Sequence, residues 1–347
     1  MARRKIANRV NKAKKRGKKL LILLAVLFIL WIVTLVLAPS EAEYVHIPTS
    51  GIADLELPYF EKTDMVISHP GFTLLYDEEH EQALWVAYHL TREELYGLFE
   101  RKDNFRSDPS IPTESASLAD YRGSGYDRGH LIPAADLTWS EEAMSASFFM
   151  SNMSPQAPAF NRGIWSDLEA VVRNFADTEG SVYVVTGPVL TDGPFKRIGA
   201  NQVSVPNAYY KVILDYQEPE LKAIGFVLPN EGSKEDLTNF AFTVREVEEI
   251  TGLDFFHRLA DPQEELLETT LSIDAWDFQK FQASRADREA FNANPSPVAQ
   301  KTKGSNLYSM ASGTLRMVLF VVKQQSLNLI ELFIPKNTLK EVAPFLY

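Results

Sequence analysis

Cysteine is absent from the 347 residues. That omission excludes a disulfide framework, a thiolate nucleophile and any zinc site built on Cys, while leaving the redox compartment open. Histidine is scarce, six residues in all, so imidazole chemistry has few places to reside. Basic residues are outnumbered, 35 Lys and Arg against 46 Asp and Glu, for a formal charge of −11. The imbalance is sharper than that figure. Ten of the basic residues crowd into the first 19 positions, which hold no acid, so the rest of the chain carries 25 basic against 46 acidic residues. A broad basic field of the kind that neutralises phosphates is therefore missing beyond the leader. Internal repeats are missing too.

What is present begins with a long apolar run. LLILLAVLFILWIVTLVLA, Leu20 to Ala38, is 19 residues without a charge, and at about 1.5 Å per residue it spans roughly 30 Å of hydrocarbon. The sequence predicts a basic leader over 1–19, a transmembrane signal anchor over 20–38 and a Pro- and acid-containing tether over 39–57. A cleaved signal peptide competes, but its apolar core usually runs to only about 7 to 15 residues. Pro39 spoils a cut after Ala38, whereas Ser40-Glu41-Ala42 leaves a second site whose use would make the product secreted. The retained anchor fits better. The positive-inside rule then keeps the leader in the cytoplasm and places everything after it outside, periplasmic or extracellular, in a single-pass protein of the cell membrane. Attraction to anionic lipid explains the leader's charge without any nucleic acid.

Beyond the tether, Phe72 to Tyr76 and Ala83 to Thr91 read as an antiparallel strand pair split by a charged turn. A long polar, Pro-bearing loop follows, RKDNFRSDPSIPTESASLADYRGSG. SEEAMSASFFMSN reads as a helix capped by Ser140, and NRGIWSDLEAVVRNFA as a second over Asn161 to Ala176. Strands are expected at Ser181–Thr186, Tyr209–Tyr216 and Ala223–Leu228, and FTVREVEEITG is a helix closed by Gly252. These elements imply an α+β unit over 58–284. Residues 285–313 have few large apolar side chains and read as a linker, and 314–347 as a strand-rich extension of open role, TLRMVLFVV and LNLIELFIP forming a terminal hairpin.

One histidine stands apart. In GYDRGHLIPAADL, His130 is fenced by Asp127, Arg128 and Gly129, charged neighbours that a core-filling histidine would not need. Glycine beside it permits close backbone approach, and an imidazole with an ordinary pKa near about 6.5 accepts a proton at neutral pH. At 100° per residue, Asn161, Trp165, Glu169 and Arg173 line one helix face. A solvated stripe with an i,i+4 ion pair worth about 0.3 to 0.5 kcal/mol is the bland account of that face. Phosphodiester hydrolysis asks for a base for water, a cation for the leaving oxygen and positive donors for the developing charge, and this set supplies all three. The other histidines are read as supporting residues: His46, His69 and His80 at the surface, His89 in a cross-strand contact, His257 at a hydrophobic corner.

RKDNFRSDP, GSGYDRGHLIPAAD, FFMSNMSPQAPAFNRGIWSDLE and the following Arg173, within about Gly71 to Trp276, resemble the DNA/RNA non-specific endonuclease family, the sugar-non-specific nucleases with a ββα-metal (His-Me finger) site related to endonuclease G. The resemblance implies a central antiparallel sheet with packed helices and endonucleolytic cleavage of DNA and RNA leaving 5′ phosphates. It implies His130 as general base and Asn161 as the one protein ligand of Mg²⁺, with Mn²⁺ as the substitute; a neutral oxygen donor suits an ion that keeps its waters. Glu169 then acts from behind the ion, Arg173 and Arg101 hold the phosphate, and Arg128 lies within the motif itself. Asp127 braces the loop and Asn152 supports the histidine segment. The acidic balance is met by a local cluster, Arg101, Lys102, Arg106, Arg122, Arg128, Arg162 and Arg173. Two other functions compete: a catalytically silent membrane-anchored binding or scaffold module, and a phosphodiesterase acting on a nucleotide or lipid head group.

Overall fold

A two-residue turn, Pro70 and Gly71, joins strand β1 (Met65–His69) to β2 (Phe72–Asp77) in the computed structural model. Gly71 has φ +87°, and a Cβ there would strike Leu137 and Trp139, so the turn requires glycine. The structure describes residues 52–294. The expected leader, transmembrane segment and C-terminal extension, with most of the tether and the linker from 295 onward, lie outside the described residues. Among the described residues no helix is long and apolar enough to cross a membrane.

Strand β3 (Gln82–Thr91) pairs antiparallel with β2, as the alternation of apolar residues indicates, with Leu74 opposite Val86 and Leu75 opposite Trp85. Strands β4 (Asp127–His130) and β5 (Met153–Gln156) form a separate small pair. β6 (Ser181–Pro188) returns beside β3; β7 (Lys196–Ile198) and β8 (Val203–Val205) pair with each other; β9 (Ala208–Asp215), β10 (Lys222–Pro229) and β11 (Ala241–Phe242) complete the main sheet. Its order is β1-β2-β3-β6-β9-β10-β11, antiparallel throughout. The unexpected β1 is only half-buried and sits at the sheet edge, where burial imposes little alternation on the sequence.

Helix α1 (Glu141–Ala146) starts at Ser140, whose Oγ accepts from the amide of Ala143. α2 (Ser166–Glu179) lays Leu168, Val171, Val172 and Phe175 on the sheet face that carries Val86, Val184 and Ile213. α3 (Val244–Thr251) opens with a reciprocal Thr243–Glu246 capping box and closes at Gly252, φ +71°. α4 (Asp261–Thr269) follows it.

Several expectations change, among them the helix read over SEEAMSASFFMSN, which ends at Ala146. The linker read over 285–313 is helical in its first part: α5 (Arg285–Ala293) is capped by Ser284 and packs Phe291 flat on Tyr96, ring centroids 4.0 Å apart. A single aromatic anchor and an otherwise charged sequence made that helix read as linker. The helix expected from Asn161 to Ala176 is also not continuous. One turn, Pro158–Phe160, leads into a widened turn, Asn161–Trp165, in which Gly163 leaves helical geometry at φ −117°, ψ −116°, before α2 begins. At the other end, Leu55 and Leu57 are buried, so the last residues read as tether already belong to the folded unit.

Candidate active site

The small β4–β5 pair carries His130 and is fastened to the main sheet from beneath. Ser154 Oγ lies 2.7 Å from Tyr209 Oη, and that hydroxyl donates to the carbonyl of Pro155 at 2.9 Å. A Cβ at Gly129 would run into the Gln156 side chain across the pair, so only glycine lets β4 lie this close. Beyond the strand, fully buried Asn152 clamps the chain: its Oδ1 accepts from Ile132 N at 3.0 Å, and its Nδ2 donates to Ile132 O at 3.0 Å and Ser147 O at 2.8 Å. The imidazole is thus held by its strand on one side and by this clamp on the other.

His130 is 9% exposed and edge-on to two rings, Phe105 at 5.7 Å and Phe148 at 5.0 Å between centroids. Over those rings lie two guanidinium groups, Arg128 above Phe105 at 4.2 Å and Arg101 above Phe148 at 4.9 Å. Burial, then the charges of Arg101 and Arg128, push the His130 pKa down to about 3, so the ring is neutral at physiological pH. Its Nε2 is buried and meets no hydrogen-bond partner among the described residues. A neutral, unpartnered ring nitrogen is a proton acceptor in waiting.

Asp127, at the start of the same strand, ties this pair to the widened helical turn. Its Oδ2 accepts from Asn161 Nδ2 at 2.9 Å and from Arg162 Nε at 2.8 Å, and its Oδ1 from Arg162 Nη2 at 2.7 Å. Burial works against its charge, but the Arg162 and Asn161 bonds outweigh it and hold the carboxyl below its usual range. Because only the amide nitrogen can donate to a carboxylate, Asn161 presents Oδ1 away from Asp127. The donor that Asn161 offers is a carboxamide oxygen, which suits a hard divalent cation and not a soft one.

The helix face does not form a solvated stripe. Trp165 is fully buried against Tyr209 and Phe160, while Glu169 and Arg173 are half-buried, Arg173 in an ion pair with Asp136. Burial raises Glu169 to about 7 against the opposing pull of Arg173 and Lys211. Arg173 donates to Asp136 Oδ1 at 2.9 Å, and Tyr88 Oη donates to Asp136 Oδ2 at 3.0 Å. Sequence reasoning gave Asp136, Phe105, Phe148 and Lys211 no role. Lys211 is 1% exposed, its Nζ lies 4.9 Å from the Trp165 ring centre with no hydrogen-bond partner among the described residues, and burial lowers it to about 8. A lysine inside AYYKVILD, buried at seven of eight positions, was the available signal. His69 also differs from expectation: its side chain is buried, 2.8 Å from Asp108, which also accepts from Ser151 beside the Asn152 clamp.

A neutral imidazole on a short strand pair that Asp127 ties to the Asn161 turn, with Glu169 and Arg173 on the helix that follows, offers the groups that phosphodiester hydrolysis asks for. A model of the DNA/RNA non-specific endonuclease family matches residues 56–262, and the chain belongs to that family. It is 35% identical over 282 residues to mitochondrial nuclease EXOG of Danio rerio, covering 71% of this chain and 82% of that one. It is 37% identical over 202 residues to human mitochondrial endonuclease G, covering 54% and 68%. It is also 37% identical to nuclease C1 of Cunninghamella echinulata, covering 56% and 83%. A crystal structure of an EndoG/EndoGI complex superposes with TM-score 0.55 at 34% identity, over 59% of this chain and 90% of that one. The chain is accordingly a hydrolytic DNA/RNA nuclease by family.

Proposed function

We propose that the chain is a Mg²⁺-dependent endonuclease that cuts DNA and RNA without sequence preference and leaves 5′ phosphates. The observation that carries this reading is the buried, unpartnered Nε2 of His130, on a strand that Asp127 ties directly to Asn161. His130 takes the proton of an attacking water, and its depressed basicity keeps it unprotonated before each turnover. Asn161 Oδ1 would hold a hydrated magnesium or manganese ion, which when bound supplies positive charge for the departing 3′ oxygen. Glu169 accepts hydrogen bonds from behind that position, and Arg173, fixed by Asp136, and Arg101, stacked on Phe148, bind the phosphate. Asp127 and Asn152 hold the geometry, and Arg128 shields the imidazole.

Residues 20–38 would anchor the enzyme in the cell membrane with the catalytic unit outside the cytoplasm, which fits an apolar run flanked by a basic leader. The full chain incubated with plasmid DNA and with RNA should degrade both with Mg²⁺ and neither with EDTA, and the ends should accept label only after phosphatase treatment. Degradation of neither polymer alongside hydrolysis of a small phosphodiester would point to the smaller-substrate enzyme. Alkaline carbonate extraction of membranes, with protease added outside intact cells, tests the anchor. A chain released by carbonate would refute it.

A further inference from the structure

Helix α5 lies beyond the stretch that the family model matches, yet it forms a wall of the groove beside the active site. Two grooves adjoin there, sharing Ala135, Ala283 and Arg288. One, of about 370 Å³, includes Arg101 and the exposed apolar side chains Leu98 and Phe99; the other, of about 500 Å³, includes Arg173. Both therefore open directly from the residues that flank His130 and Glu169. The grooves carry four guanidinium groups, and their charges are not equally satisfied: Arg101 is bound to Asp103. Arg173 is bound to Asp136, and Arg285 is bound to Glu100 and Glu289. Arg288 donates to the carbonyl of Gly97 at 3.2 Å, and among the described residues no carboxylate comes within ion-pair range of it. Asp287, also on this wall, is occupied by the amide and hydroxyl of Ser284. Burial and then the nearness of Arg173 depress the Arg288 guanidinium.

We propose that α5 builds a substrate-strand subsite in which Arg288 binds a backbone phosphate next to the scissile one, with Phe99 and Leu98 lying against the sugar or base beyond it. This rests on the nuclease reading above and assigns the residues that grip the chain outside the reacting phosphate. The groove is open and mixed in character, apolar at Leu98 and Phe99 and cationic at Arg101, Arg173 and Arg288, which is the lining that a single nucleic-acid strand recognises without sequence readout. A rigid duplex need not enter it, since an unpaired strand can turn its bases toward Phe99. The subsite therefore favours single-stranded DNA or RNA over a fully paired duplex.

The test uses the full chain with Arg288→Ala, Arg288→Lys and the wild type, on single-stranded oligonucleotides and on a chromogenic nucleoside phosphodiester too short to reach α5. Losing one phosphate contact should raise KM for the oligonucleotide about tenfold and flatten the log–log salt dependence by roughly one unit. The effect on the short substrate should be much smaller, and Arg288→Lys should recover most of the oligonucleotide KM. Binding of a fluorescent oligonucleotide to His130→Ala, with and without Arg288→Ala, reads the same contact without turnover. Equal KM and equal salt slope in Arg288→Ala would overturn the subsite, as would an equal loss on the short substrate. If the wild type neither cleaves nor binds, the nuclease reading fails first, so the two failures are distinguishable.

Discussion

At the scale of single residues, His130 and Glu169 have pKa values displaced in opposite directions by the same cause, removal from water. His130 loses basicity and Glu169 loses acidity. Because His130 stays neutral down to about pH 3, an acid limb in the rate profile does not belong to it; the group that protonates near neutrality is Glu169. His130→Ala should lower kcat by about 10² to 10⁴ while leaving thermal unfolding close to wild type. A purified variant keeping more than roughly a tenth of the turnover contradicts the assignment of the base. Lys211 provides the finer test. Its ammonium pulls Glu169 toward ionisation, so Lys211→Met should move the acid limb to higher pH and spare activity in alkaline buffer. An unchanged limb would mean that Glu169 is not the titrating group.

At the scale of elements, the site depends on connections that carry little energy locally but fix the imidazole. Asn152→Ala would leave the amide and carbonyl of Ile132 and the carbonyl of Ser147 buried without their side-chain partner. Denaturant unfolding should show a loss of about 2 to 4 kcal/mol, since each stranded buried group costs roughly 1 to 3 kcal/mol and some relaxation follows. This is also where the sequence was most and least legible. Strands β2, β3, β6, β9 and β10 stood out because central strands must alternate or stay apolar, and α1 and α3 because Ser140, Thr243 and Gly252 mark their ends. The DRGH segment was legible as a strand only through the family resemblance with its ββα-metal site, and its partner Met153–Gln156 not as a strand at all, since four residues are too few to show a period. The break at Gly163 was hidden for a related reason: a regular 3.6-residue reading places Asn161 and Glu169 near one face with or without it. Helix α5 was missed because its docking rests on Phe291 and on Arg288 and Asn292 side chains reaching main-chain carbonyls, none of which makes an apolar pattern.

At the scale of the molecule, acidity acts on stability and on substrate binding in separable ways. Around Arg245 gather Glu248, Glu265 and Glu268, with Glu264 nearby; burial and then the neighbouring carboxylates raise Glu264 to about 7 and Glu268 to about 8. A carboxyl whose folded pKa lies above its unfolded one holds a proton that the unfolded chain has released. Its contribution to stability is complete below the unfolded value of about 4.3 and disappears as pH rises through about 7 to 8. The melting temperature should fall between about pH 4.5 and 8 and level off above that, and Glu268→Gln should flatten the fall; a variant with the wild-type slope would place the titration elsewhere. Salt separates the second effect. With 25 basic against 46 acidic residues beyond the leader, added salt screens self-repulsion and should hold or raise the melting temperature. Over the same range it weakens the grip on phosphate. Three contacts, through Arg101, Arg173 and Arg288, imply that affinity for a single strand falls roughly 18-fold between about 50 and 200 mM salt at a slope near 0.7 per contact, and about 7-fold once Arg288 is removed. A melting temperature that holds while KM climbs shows substrate binding confined to a small cationic groove on an acidic protein. If KM does not respond to salt, the phosphate contacts assigned to those three arginines are wrong, whatever the stability does.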